Sequence, residues 1–213
     1  MSRLLDLADI QGGILRDYGG NYPKGRYVFI EFRRAQDGDA PEKVREIQAQ
    51  ARGLIHALRA RVTSALRWES KALYYQGPVE AAKPPVTINV AFTFHGLRAL
   101  GLPIRTLQRL PDEFINGMIQ RASVLGDVGR NAPERWDRAW KRGGSEIHLA
   151  VMMRAMMRET DGTPVPELDA TTDWLRAKCR EHEAVFVEGH RETPLPGRVG
   201  APDPEGGQVG AGV

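Results

Sequence analysis

The chain has 213 residues of which 41% are hydrophobic, enough for one good core carrying at most an elaborated second layer. Thirty Lys and Arg against 27 Asp and Glu leave a formal charge of +3, which argues against the concentrated basic surface that nucleic-acid binding needs. The single cysteine, Cys179, excludes an intramolecular disulfide or a multi-cysteine metal site and favours a reducing compartment.

Near the amino terminus, Met1 to Ile10 mixes Arg3, Asp6 and Asp9 with leucines and gives no secretory signal. Arg26 to Phe32 then alternates, with Val28, Ile30 and Phe32 on one face and Tyr27, Phe29 and Glu31 on the other, which predicts a strand. Asp39 and Glu42 stand at capping-box spacing around Pro41, a helix-start signal. Behind them Val44, Ile47, Ala51, Leu54, Ile55, Leu58 and Val62 make one apolar stripe at helical spacing. The arginines Arg45, Arg52, Arg59 and Arg61 and His56 fall on its outer faces and are expected in solvent.

Val86, Ile88, Val90, Phe92 and Phe94 alternate with Thr87, Asn89, Ala91 and Thr93, predicting a strand with a core face and a small, polar face. His95, next along, is expected to cap the turn that ends it. A second helix is predicted from Pro111, with Asp112 and Glu113 in its first turn and Phe114, Ile115, Met118 and Ala122 facing inward. Between Gly126 and Gly144 the periodicity is lost, and a long ordered excursion pinned by Trp136 and Trp140 is expected. Ile147, Leu149, Val151 and Met153 predict a third strand, Thr171 to His182 a helix with Trp174, Leu175 and Cys179 inward, and Ala184 to Val187 a fourth strand.

The order β-α-β, an inserted helix, then β-α-β predicts an α+β, ferredoxin-like split βαβ domain over 1–190, with both long helices on one face of an antiparallel sheet. Tyr27, Phe29 and Met152 are expected on the other face, where an exposed apolar patch marks an interaction surface. From Arg191 to Val213, Pro and Gly dominate and a disordered tail is predicted. No stretch approaches the ~20 apolar residues of a membrane span, so a cytoplasmic chain without membrane or nucleic-acid partners is expected.

Several motifs resemble the dye-decolourising haem peroxidases. They are Asp9-Ile10-Gln11-Gly12-Gly13-Ile14-Leu15 with Tyr18; Ala91-Phe92-Thr93-Phe94-His95-Gly96-Leu97 running on to Pro103; Pro111-Asp112-Glu113-Phe114 with Gly117-Met118 and Arg121-Ala122; and Leu125-Gly126-Asp127 with Trp136. The resemblance covers Leu7 to about Glu188 and implies the amino-terminal half of such an enzyme, in the dimeric α+β barrel fold. It implies a haem cofactor and peroxide-driven oxidation of dyes or phenols.

The family's Gly-x-x-Asp-Gly motif, which supplies a distal aspartate, has no counterpart: Arg158 precedes Asp161-Gly162 where glycine is needed, and Pro204 follows Asp203. The resemblance places the distal arginine and the iron-ligating histidine in a second half, which this sequence does not contain. No catalytic, cofactor-binding or metal-binding residue is therefore assigned, and haem binding by this chain alone is not expected. A separate carboxy-terminal half or a homodimer through the open sheet face is the expected partner, with a non-catalytic dimerisation or ligand-binding module as the alternative function. The switch in character near His190 is what a frameshift or early gene end produces.

Individual residues carry bland readings. His148 is expected to be a hydrogen-bonded structural histidine, and Cys179 a buried small hydrophobe. His182 and His190 could ligate iron only if the tail folded over a pocket. Met152, Met153, Met156 and Met157 are expected as packing filler, and Gly12-Gly13 and Gly19-Gly20 lack phosphate-loop spacing.

Overall fold

A computed structural model describes residues 5–16, 18, 22–68, 79–80, 83–136, 140 and 147–187. The 191–213 tail, His190 and parts of the 126–144 excursion lie outside the described residues. Four strands, β1 (Lys24–Glu31), β2 (Val86–Phe92), β3 (Leu149–Ala155) and β4 (Val185–Val187), form one antiparallel sheet in the order β2-β3-β1-β4. This is the split βαβ arrangement: β3 pairs with β2 from Val86↔Ala155 to Phe92↔Leu149 and with β1 from Lys24↔Ala155 to Ile30↔Leu149.

Period-two alternation decides which face is core. Val28 and Ile30 of β1, Ile88 of β2, and Leu149, Val151 and Met153 of β3 are buried against two helices, α1 (Pro41–Arg59) and α5 (Glu167–Glu181). From α1 come Ile47, Ala51, Leu54 and Leu58, and from α5 Leu168, Leu175 and Cys179. Arg26 also points to this side; its guanidinium donates to Thr172 Oγ1 and pairs with Asp169 at 2.9 Å, tying β1 to the start of α5.

Five sequence expectations need correction. The predicted capping box at Asp39 and Glu42 does not form: the Asp39 carboxylate accepts from the Gln36 N–H and Lys43 Nζ, and the helix starts at Pro41 without a side-chain cap. The second strand stops at Phe92, not Phe94, because Thr93 caps a helix, α2 (Phe94–Ala99), its hydroxyl accepting from the Gly96 N–H at 3.0 Å. Thr93, and not His95, is thus the capping residue. The inserted helix α3 (Asp112–Gln120) exists, but Gly117 at φ 64° breaks it and none of its residues is buried; Phe114 and Met118 are exposed, as are Val124 and Leu125 of the following turn, α4 (Ala122–Leu125). The last helix starts at Glu167, four residues before Thr171, so Thr171 and Thr172 are buried inside it.

The small, polar face assigned to β2 is small and polar but not in solvent, since Thr87 and Asn89 are both buried. For Asn89 the reason lies in the amino-terminal Asp9 to Leu15 segment, which folds across the β2 edge and closes onto its side chain at Gly13. Gln11 meets the Val90 backbone twice, accepting from its N–H at 2.7 Å and donating to its carbonyl at 3.0 Å. Thr63 does the same for Ile88: its backbone N–H donates to the Ile88 carbonyl and its Oγ1 accepts from the Ile88 N–H. An edge strand otherwise offers a row of unpaired donors and acceptors, and these two residues consume it.

Candidate functional site

The helix-free face of the sheet is the surface that the fold leaves for function. In register across β2, β3 and β1 it carries Thr87–Arg154–Gly25, then Asn89–Met152–Tyr27, then Ala91–Ala150–Phe29. Tyr27 is 59% exposed, Met152 is half-buried, and Trp140 packs edge-on over Phe29 with ring centroids 4.7 Å apart. The predicted trio Tyr27, Phe29 and Met152 therefore shares one face, and Trp140 does pin the excursion to it. Trp136 is held differently, donating from Nε1 to the Asn131 carbonyl at 2.7 Å.

At the β2 side of this face lies a cleft of about 380 Å³, bounded by the Gln11–Arg16 segment and by Tyr27, Asn89, Met152 and Arg154. A single helical turn, Gly12–Leu15, forms its wall. Side chains are excluded at two glycines of that wall: a Cβ on Gly12 would lie 2.0 Å from the Tyr18 hydroxyl, and one on Gly13 would lie 2.6 Å from Asn89 Oδ1. The glycine pair thus lets the backbone close onto the sheet, as its lack of phosphate-loop spacing left room for. Behind it Tyr18, Tyr22 and Trp68 make a small buried aromatic cluster, with Arg16 stacked on Trp68 and Met156 packed alongside.

Electrostatically the cleft is donor-rich. Asn89, whose Nδ2 is buried without a hydrogen-bond partner among the described residues, lines it, and Arg154 contributes a cation. Sequence reading found its aromatic and thioether residues from alternation and gave β2 a small, polar face, but did not single out Asn89, Thr87 or Arg154.

The histidines and the cysteine are placed elsewhere. His148 is 1% exposed, its ring tilted against Phe32, and its Nδ1 accepts from the Phe32 N–H at 2.8 Å. His182 closes α5 with Nδ1 3.3 Å from Gln50 Oε1, and His56 is exposed on α1. Cys179 is fully buried, and burial pushes its thiol pKa up to about 12, so it acts as a small hydrophobe. Met153 is core filler, while Met152, Met156 and Met157 are only partly buried.

A haem needs an axial nitrogen or thiolate in a dry pocket whose other nitrogen is held by an acceptor. No histidine or cysteine lines the 380 Å³ cleft. The cleft that does contain histidines, His95 and His148, measures about 160 Å³ and is ringed by arginines, below the ~300–1,000 Å³ of ordinary ligand pockets. Neither of these clefts fits haem, and among the described residues no group of three or more His, Cys, Asp or Glu could hold a metal ion. No described helix is long and apolar enough to cross a membrane.

Residues 38–179 match the family described as the DyP dimeric alpha+beta barrel domain. Similar solved structures include a dye-decolorizing peroxidase engineered in its heme pocket for asymmetric sulfoxidation (TM-score 0.56, 17% identity, 86% of this chain and 32% of that one). A dye-decolorizing peroxidase in complex with 2,6-dimethoxyphenol aligns at TM-score 0.52 and 20% identity, over 87% of this chain and 33% of that one. The DyP-type peroxidase of Anabaena sp. aligns at TM-score 0.55 and 22% identity, over 82% and 32%. The chain thus spans about a third of the length of these structures, and likeness at this identity speaks for the fold. Among curated proteins there is no significant match in sequence.

Proposed function

The chain belongs to the DyP dimeric alpha+beta barrel family, and we propose that it is the haem-free half of a dye-decolourising-type peroxidase, closing a barrel against a second α+β half that carries the haem. The observation supporting this reading is the helix-free face: it presents Tyr27, Phe29 and Met152 beside buried, unpartnered donors on Asn89 and Thr87. A second sheet laid on that face buries the apolar residues. In this reading the chain's own residues shape the barrel and exclude water, and the peroxide chemistry belongs to the partner half.

The same face supports a second reading. A barrel of this family type also closes by pairing two copies of one chain, which gives a non-catalytic dimer able to bind a ligand between the sheets.

Haemin titration of the purified chain tests the first reading. The expected result is no stoichiometric Soret band and no peroxide-dependent oxidation of a phenol such as 2,6-dimethoxyphenol. Co-production with a second α+β half from the same locus is expected to give a one-to-one complex that takes up haem. A histidine-ligated haem spectrum with turnover by the chain alone overturns the proposal. A haem-free homodimer by light scattering, split by Tyr27→Asp, supports the second reading in its place.

A further inference from the structure

Away from the sheet face, a second cleft opens where the chain leaves β1. Arg33 and Arg34 line one side, Gln48 of α1 a second, and His95 and Arg98 of α2 a third, with His148 among the lining residues. No aspartate or glutamate lines it. Glu183 pairs with Arg33 and Glu31 with Arg34 from outside the cleft, while Arg98 has no carboxylate partner among the described residues. His95 Nδ1 is buried and has no hydrogen-bond partner there. His148 adds no compensating charge, since its Nδ1 is occupied by the Phe32 N–H.

Such a grouping opposes itself. Like charges and burial work in one direction on the His95 ring: desolvation, then Arg98, then Arg34, hold its pKa below the ordinary value of 6.5. Nothing in the catalytic or barrel-closing reading uses these residues, and none of them reaches the helix-free face.

We propose that this cleft binds a small oxyanion, a phosphate or sulfate group that is either free or the terminus of a larger molecule. The anion accepts from the Arg98 guanidinium, whose planar fork suits tetrahedral oxygens, beside the His95 ring in the cleft wall. The cleft measures about 160 Å³, which is enough for a small tetrahedral anion. This proposal does not depend on the barrel reading.

Sodium sulfate is the first probe, because its charge does not change over the range in which histidine titrates. Isotope-labelled full-length chain is titrated with sulfate and, separately, with sodium chloride at equal ionic strength, following the His95 ring resonances. The expected result is a saturable, single-site movement with sulfate only. It comes with a rise of about one unit in the ring pKa, so sulfate binds about tenfold tighter below the titration than above it. Arg98→Gln, at an exposed position, is expected to weaken sulfate at least about fivefold with the amide spectrum otherwise retained. Phenyl phosphate that competes with sulfate assigns the site to the terminus of an ester; phenyl phosphate that does not compete assigns it to the free anion. A ring response no larger than that of chloride overturns the proposal, as does unchanged sulfate affinity in folded Arg98→Gln. Should that variant not fold, the wild-type comparison of sulfate with chloride decides alone.

Discussion

Replacing Gln11 by alanine removes both side-chain contacts to the Val90 backbone, at 2.7 and 3.0 Å, without touching the core. Each bond contributes about 1 kcal/mol net, and a partly buried backbone group left unpaired costs up to ~3 kcal/mol, so a combined loss of about 2–3 kcal/mol is expected. For a chain of this size that is a fall of roughly 5–10 °C in the unfolding midpoint, or about 1 M in urea with an unchanged slope. Amide exchange gives the site-specific reading: the Val90 N–H, protected in the native chain, is expected to exchange freely in Gln11→Ala. Gln11→Glu keeps an acceptor for that N–H but puts a carboxylate against the Val90 carbonyl, so it is expected to retain protection at Val90 while still losing stability. Stability within about 0.5 kcal/mol of wild type, with Val90 still protected in Gln11→Ala, would refute the view that this side chain closes the strand edge.

Three further outcomes are expected. Gly96→Ala places a methyl 2.0 Å from the His148 carbonyl oxygen and 2.8 Å from its carbon; with backbone on both sides, a loss of about 3 kcal/mol or more is expected in a urea titration, and a loss below about 1 kcal/mol would show that α2 shifts freely. Cys179 should resist iodoacetamide in the native chain at pH 8 and react once unfolded. Because its thiol pKa rises from 9.0 to about 12 on folding, the unfolded chain releases the proton first, so stability is expected to fall as pH climbs through that interval. His95, with its pKa held below 6.5 by burial, Arg98 and Arg34, binds its proton more weakly folded than unfolded, so its contribution is present above pH 6.5 and lost as pH falls through that value. A ring titration midpoint at or above 6.5 in salt-free buffer would contradict this.

The sheet was legible because its signals are local. Alternation at Val28, Ile30 and Phe32 and at Val86, Ile88 and Val90 named the buried face correctly, and the stripe on α1 named what covers it. The family resemblance then pointed to the barrel class that the 38–179 match supports. What failed was long-range or context-dependent. Phe94 continues the alternation of β2, yet the Thr93 hydroxyl, which also donates to the Ile147 carbonyl at 2.7 Å, ends the strand through a contact 54 residues away in sequence. Phe114 and Met118 keep a helical apolar spacing but stay exposed, because periodicity reports a face and not its partner. Nor does any local pattern show that the backbone at Gly13 closes onto Asn89.

Gln11 and Thr63 together close one margin of the sheet. With the outer backbone groups of Ile88 and Val90 already engaged, this sheet does not grow sideways from its β2 margin, and a visiting strand finds no rung to extend there. An incoming subunit must approach broadside, layer on layer, or along the three-residue margin of β4. The short segment around Gln11 thereby acts as a selvedge, finishing one of the sheet's two lateral margins.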